Sequence, residues 1–198
     1  TTGLWLDNGG SWQILSGVNP DAVIAADLDG SGTREIVGDF GTLGLWKWAA
    51  GAWSQISGVN PETLLAANTD GSGGQEVVAD FGATGLWQYQ NSAWVPLSGD
   101  NIELMITGDF NADGIEELYL DLGAGGLFRY NNGSVAQLST ANAENMLAGD
   151  TDGAAGDEII ADFGAGGLSL WKSGAWTLLS SSNASGLAGA ELDGDGLV

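Results

Sequence analysis

An all-β fold of short, repeated, four-stranded sheets is what the sequence predicts, and three observations carry that expectation. An acidic, glycine-rich turn returns at a constant 41-residue step, opened in turn by Asp27, Asn68, Asp109, Asp150 and Glu191. A second marker keeps the same step: Gly3-Leu4-Trp5, Gly44-Leu45-Trp46, Gly85-Leu86-Trp87, Gly126-Leu127-Phe128 and Gly167-Leu168-Ser169. Between these markers the apolar runs are short, and glycine interrupts them too often for ten-residue amphipathic helices. A period near 40 to 50 residues belongs to propellers or helical solenoids, and the local pattern selects strands.

The second acidic turn shows how one repeat is built. Thr63-Leu64-Leu65-Ala66-Ala67 is a short apolar run whose small residues suit a crowded inner strand. After the turn, Glu76-Val77-Val78-Ala79-Asp80-Phe81 carries β-branched residues and stops at Gly82, and Gly85-Leu86-Trp87-Gln88-Tyr89 resumes with alternation. Ala93-Trp94-Val95-Pro96-Leu97 contains a proline that a ladder tolerates mainly at an edge. The pairs Asn19-Pro20 and Asn60-Pro61 read as turns into the next repeat. Four strands per repeat describe a blade, so the expectation is a β-propeller of about five four-stranded blades, with residues 1–198 as a single repeat domain.

The chain opens on third and fourth strands, Leu4-Trp5-Leu6 and Trp12-Gln13-Ile14-Leu15, and closes after a first strand, Gly186-Leu187-Ala188-Gly189-Ala190. These halves are complementary, so the terminal strands are expected to share one blade and close the ring. The alternative is an open array completed by a neighbouring chain, whose head-to-tail contacts would give rings or filaments.

The acidic turn has the chemistry of a calcium loop. Its first copy, Asp27-Leu28-Asp29-Gly30-Ser31-Gly32-Thr33-Arg34-Glu35, places oxygen-bearing side chains at positions one, three, five and nine around a glycine-rich bend. A hard divalent cation takes six to eight oxygens at roughly 2.3–2.6 Å, which alternate residues of a tight loop can present together. Asp27, Asp29, Ser31 and Glu35, with the Thr33 carbonyl, form a full donor set, as do Asp109, Asn111, Asp113 and Glu117 with the Ile115 carbonyl. Asn68, Asp70, Ser72 and Glu76 keep the spacing with less charge. In the fourth copy Ala154 and Ala155 replace a ligand and a glycine, leaving Asp150, Asp152 and Glu158, for which water fills the gap or no ion binds. The fifth, Glu191, Asp193 and Asp195, lacks a ninth-position carboxylate. Asp-Gly and Asn-Gly turns form without metal, but a turn alone does not call for Glu at position nine in four successive copies. An EF-hand is excluded because its glutamate stands at position twelve, between helices.

Composition narrows the function further. Twenty-six acids against four bases give a net charge of −22, which repels phosphate backbones and anionic membranes. Nucleic acid and membrane insertion are therefore not expected. With neither Cys nor His, thiolate and imidazole chemistry is absent, and no carboxylate pair stands apart from its repeated neighbours, so no enzyme activity and no catalytic residue are expected. Asp39-Phe40-Gly41, Asp80-Phe81-Gly82 and Asp162-Phe163-Gly164 spell a kinase metal motif by accident; they suit a strand end, a Phe wedge and a turn whose Asp bonds backbone amides. Trp5, Trp46 and Trp87, and Trp12, Trp53, Trp94 and Trp176, recur at repeat positions and belong between blades. Trp48 and Trp171 stand outside both sets and are expected to be the more exposed.

The Leu-Leu-Ala-Ala inner strand, Asp-x-Asp-Gly-x-Gly-x-x-Glu and the following Asp-Phe-Gly together resemble the FG-GAP or VCBS-type repeat family along essentially the whole chain. The resemblance implies a propeller with calcium between the first two strands of a blade, as in integrin α-chains and a fungal lectin. Family propellers often have seven blades, whereas this chain supplies about five. Adhesion, carbohydrate recognition or scaffolding is the implied work. The expectation is a calcium-binding, secreted or cell-surface recognition and adhesion module whose partner is an extracellular protein or glycan and whose ligand-binding residues are undefined. The alternative is a surface-layer, filament or accessory subunit in which Ca2+ only stiffens the blades.

Overall fold

In the computed structural model, residues 2–189 are described. Glu191, Asp193 and Asp195, and the expected pairing of terminal strands, lie outside the described residues. The strands form antiparallel meanders in chain order. A two-stranded sheet holds β1 (Leu4–Asp7) and β2 (Trp12–Ser16). The next sheet holds β3 (Ala22–Ala26), β4 (Glu35–Asp39), β5 (Leu45–Ala49) and β6 (Ala52–Ser57); then come β7 (Thr63–Ala67), β8 (Glu76–Asp80), β9 (Leu86–Gln90) and β10 (Ala93–Ser98). β11 (Leu104–Gly108), β12 (Glu117–Asp121), β13 (Leu127–Asn131) and β14 (Ser134–Ser139) make the fourth sheet, and β15 (Asn145–Gly149), β16 (Glu158–Asp162), β17 (Leu168–Lys172) and β18 (Ala175–Ser180) the fifth. Pro96 sits in β10, an edge strand, as its missing N–H requires.

One expectation needs correcting: the described residues 186–189 form no strand. Gly186-Leu187-Ala188-Gly189 is half glycine and has no β-branched residue, so its intrinsic preference for an extended ladder is weak.

The chain divides into two compact units, Thr1–Ala66 with Gly74–Gly99, and Ala67–Gly73 with Asp100–Val198. Val37, Leu45, Val77 and Ala79 centre the core of the first, backed by Ile56, Phe81 and Trp94. Tyr119, Leu127, Met146 and Ile159 centre the second, backed by Phe110, Phe163 and Trp176.

The Gly-Leu-Trp marker has a structural cause. At each copy the outer hairpin carries a β-bulge: Leu45 faces Ser57 while Trp46 faces Gln55, so Ile56 has no partner across the pair. Gly44 lies against this bulge at φ 75°, and a Cβ there would stand 2.2 Å from the Ser57 carbonyl oxygen. The bulge in turn frees a carbonyl. Ile56 O accepts the Trp94 indole N–H at 2.7 Å, Leu15 O accepts that of Trp53 at 2.7 Å, and Leu138 O that of Trp176 at 3.1 Å. Leu15 and Leu138 are likewise the residues skipped at their own bulges. The recurring tryptophans thus tie one sheet to the next by a specific bond as well as by packing.

Each of these indoles also meets the Phe of its Asp-Phe-Gly segment nearly edge-on, with centroids 5.3 Å apart for Phe40–Trp53, 5.2 Å for Phe81–Trp94 and 5.0 Å for Phe163–Trp176. In the remaining repeat both partners change together, to Leu122 and Val135. Asp39, Asp80 and Asp162 accept the amide of the glycine two residues on at 2.9–3.1 Å, opening short 3-10 turns such as Gly41–Leu43. The kinase-like triplet is therefore a turn device.

Candidate metal centre

Each of the four described acidic loops joins the first and second strands of a four-stranded sheet, and its own amides shape it. In the first loop Asp27 accepts the Ser31 amide at 3.0 Å through Oδ1 and the Gly32 amide at 2.7 Å through Oδ2. Asp29 Oδ1 also accepts the Ser31 amide, and Glu35 Oε2 accepts the Leu28 amide at 2.8 Å. The Thr33 amide donates to Ser31 Oγ at 3.2 Å. Donation from the Ser31 hydroxyl and then its amide holds the Asp29 carboxyl below the ordinary range, so it is ionised at neutral pH.

Asp27, Asp29 and Glu35 bring one carboxylate oxygen each within 4.8 Å of one another. Two ligands on opposite sides of an ion with bonds of roughly 2.3–2.6 Å are separated by about that much. The donors are all hard oxygens, which suits calcium or magnesium and not a soft metal. These residues fit a divalent ion, with Asp27, Asp29, Ser31 and Glu35 as the side chains to hold it.

The third loop copies the amide pattern but is closed differently. Asp109 accepts from Asp113 N at 3.1 Å and Gly114 N at 2.9 Å, Asn111 Oδ1 accepts from Asp113 N at 2.8 Å, and Asp113 Oδ1 accepts from Ile115 N at 2.8 Å. Glu117 accepts the Phe110 amide through Oε2, while its Oε1 takes the side-chain amides of Asn111 and of Asn131, the latter at 2.8 Å. Burial raises the Glu117 carboxyl, and the charges of Asp113 and Asp109 raise it further. Asp109, Asp113 and Glu117 are not among the described three-acid groups drawn to within 4.8 Å.

The second loop's residues fall in both units: Asn68, Asp70 and Ser72 in the second, Glu76 in the first. Asn68 Oδ1 accepts the Gly71 amide at 2.9 Å and Asp70 Oδ1 the Ser72 amide at 2.8 Å. Glu76 is buried at the start of β8.

In the fourth loop Asp150, Asp152 and Glu158 likewise bring one carboxylate oxygen each within 4.8 Å of one another. The expectation for the gap left by Ala154 was water or no ion; the structure adds Lys172, which reaches in from β17, paired with Asp152 and 3.8 Å from Glu158 Oε1. Thr151 donates its amide and hydroxyl to Glu158 Oε2 at 2.9 and 2.8 Å.

Position eight of the loop carries a role that sequence reasoning missed. Gln75 donates its amide to the Asp27 carbonyl at 2.6 Å and accepts the Asp27 amide through its side chain at 3.4 Å. Glu116 does the same to Asn68, and Asp157 to Asp109 with both bonds at 2.9 Å. The signal was a side-chain acceptor at position eight in three successive loops, and it joins residues 48 apart.

The exposed aromatics also differ from expectation. Trp48 and Trp171 are half-buried, with ring centroids 5.4 Å from Trp53 and 5.1 Å from Trp176, whereas Trp12 is 67% and Trp5 38% exposed. Tilted neighbours across the β5–β6 and β17–β18 hairpins cover the first pair.

No protein-family profile matches the chain, and no curated protein matches it. Solved structures do. The chain is similar to BBS1N in complex with ARL6DN, at 14% identity and TM-score 0.62 over 89% of this chain and 61% of that one. The fold is that of a β-propeller. A second similar structure is an Agrocybe aegerita lectin described for specific recognition of non-reducing terminal N-acetylglucosamine, at 15% identity and TM-score 0.59, over 83% of this chain and 54% of the lectin. A third is the V. cholerae biofilm matrix protein Bap1, at 22% identity and TM-score 0.51, over 83% of this propeller and 31% of Bap1. The propeller described here therefore spans less than two thirds of each of these chains.

Proposed function

We propose that this propeller is a calcium-stabilised, extracellular, non-catalytic recognition and adhesion module of FG-GAP/VCBS type, with carbohydrate as its ligand class. The gathering of Asp27, Asp29 and Glu35 carries the proposal. Three carboxylates held together repel one another unless a cation joins them, and an all-oxygen set selects a hard one. Millimolar extracellular calcium would keep such a loop filled even at moderate affinity.

A small apolar recess of about 180 Å³ supports the carbohydrate part, formed in the first unit by Ser16, Val18, Phe40, Leu43, Trp46 and Trp53. Aromatic and aliphatic walls of this kind suit the C–H face of a sugar ring or an acyl methyl group. The lectin among the similar structures supports the carbohydrate part, and the biofilm matrix protein the adhesion part. The second reading, a structural subunit in which calcium only stiffens the blades, draws on the position-eight bonds between successive loops.

Calcium titration with a thermal melt tests the metal. An ion binding only the folded state stabilises it by about 2.7 kcal/mol at a hundredfold excess over its dissociation constant. Chelator is expected to lower the melting temperature of the parent, and D27N/D29N is expected to lose one bound ion and most of that shift; no shift in the parent would refute calcium. Glycan arrays in calcium and in chelator separate the two readings. Binding that Trp46→Ala removes without changing the melt favours recognition, and ordered self-assembly without glycan binding favours the structural role. Turnover of a glycan substrate, abolished by one point substitution in a folded chain, would overturn the non-catalytic assignment.

A further inference from the structure

We propose that Lys172 is the resident cation of the fourth loop: its ammonium takes the place among Asp150, Asp152 and Glu158 that a divalent ion would take among Asp27, Asp29 and Glu35. The comparison with the first loop rests on the calcium reading; the role of the ammonium does not.

Four observations converge on it. The fourth loop draws its acids together as the first does, so its charge needs compensation no less. Lys172 Nζ is paired with Asp152 and stands 3.8 Å from Glu158, a contact geometry shared between the two carboxylates. Glu158 is almost wholly buried, with its side chain 6% exposed, so this charge cannot rely on water. The residues at the same repeat position in the other four-stranded sheets are Ala49, Gln90 and Asn131, none of them charged.

The loop itself is a poorer metal site than the first, although it keeps three carboxylates. Ala154 stands where Ser31, Ser72 and Asp113 offer oxygens at position five. Ala155 stands where Gly32, Gly73 and Gly114 turn at φ 83–88°, and the left-handed turn is displaced to Gly156 at φ 98°. Asp150 then accepts the amides of Asp152 and Gly153 through one oxygen, whereas Asp27 spreads its acceptors over Ser31 and Gly32. An ammonium needs three acceptors in no strict arrangement, while calcium needs six or more oxygens. Deleting a ligand and gaining a lysine are therefore complementary changes: the fourth repeat offsets part of its charge with an ammonium of its own chain. Asn131 is the neutral counterpart, donating its amide to Glu117 at the third loop.

The test uses the full chain with Lys172→Gln, and Lys172→Asn as a second variant that copies Asn131. Calcium alone is the probe, read by equilibrium dialysis and by melting in chelator. The expected result is that each variant melts below the parent in chelator, by about 2–4 °C for a pair of this exposure, and binds one more calcium ion than the parent. If the parent binds calcium and neither variant gains an ion, the proposal is overturned. If the parent binds no calcium at all, the calcium reading falls separately and the melt in chelator decides: variants that melt with the parent overturn the role of Lys172, and variants that melt lower support it.

Discussion

Asp121 shows what a single residue can lose when its repeat position is kept but its partners drift. Asp39, Asp80 and Asp162 each accept a glycine amide, and Asp162 also accepts the Ala184 amide at 3.0 Å. With its side-chain amide turned so that nitrogen faces Asp39, as the surrounding acceptors favour, Asn60 supplies a donor at 3.0 Å where Pro61 has no N–H to give. Asp121 is fully buried and neither oxygen closes a hydrogen bond, although the amides of Ala143 and Gly123 face it. Burial, and then the Glu103 carboxylate, push its carboxyl up from 3.8 to about 6. The folded protein therefore holds this proton more tightly than the unfolded chain, so the group adds stability as pH falls through 6 and adds no more below the unfolded value near 4. Asp121→Asn removes that titration. Its melting temperature is expected to exceed the parent's, or trail it least, at pH 7–8, and the parent should gain on it down to pH 4; parallel curves would refute the assignment. The turn role of the Asp-Phe-Gly residues was legible because Asp before Gly has a local partner two residues on. The missing bonds of Asp121 were not legible, since they depend on the geometry of Ala143, 22 residues away.

At the level of strands, the bulge and the tryptophan form one device. The bulge takes a carbonyl out of the ladder, and the indole N–H of the following repeat satisfies it. Trp94→Phe keeps a ring against Phe81 but leaves the Ile56 carbonyl without its donor, and is expected to destabilise the protein by about 1 kcal/mol, read as a fall of about 2–4 °C in the melting temperature. An unchanged melt would mean that the ring alone matters. Trp94→Ala should cost about 3 kcal/mol, by losing the ring as well. The strands of the second repeat were readable to within a residue: Thr63–Ala67 is β7, and Glu76–Asp80 ends one residue before the expected Phe81, whereas the glycine-rich run at 186–189 was misread as a strand. Their apolar and β-branched runs are local signals. The pairing of Trp94 with Ile56 was not readable, because 38 residues separate them and only the register of the bulge brings them together.

Across the molecule the few bases are not scattered. Lys47 acts on Asp29, Arg129 on Glu117, and Lys172 on Asp152 and Glu158, so three of the four serve acidic loops. With a net charge of −22, bases cannot balance the acids, and dissolved cations must supply the rest. In chelator, raising salt from low ionic strength to roughly 1 M, where the screening length falls to about 3 Å, is expected to raise the melting temperature. In saturating calcium the same salt series should do much less, and equal slopes would argue that the loops are not the seat of the repulsion. The position-eight bonds add a different kind of constraint. Asp27 is grasped by Gln75 and Asp109 by Asp157, so a loop's leading residue is secured by the loop that follows it. The unit that duplicates in the sequence and the unit that holds together mechanically are thus out of phase, and an array cut at its sequence period would leave its last loop ungripped at its leading residue.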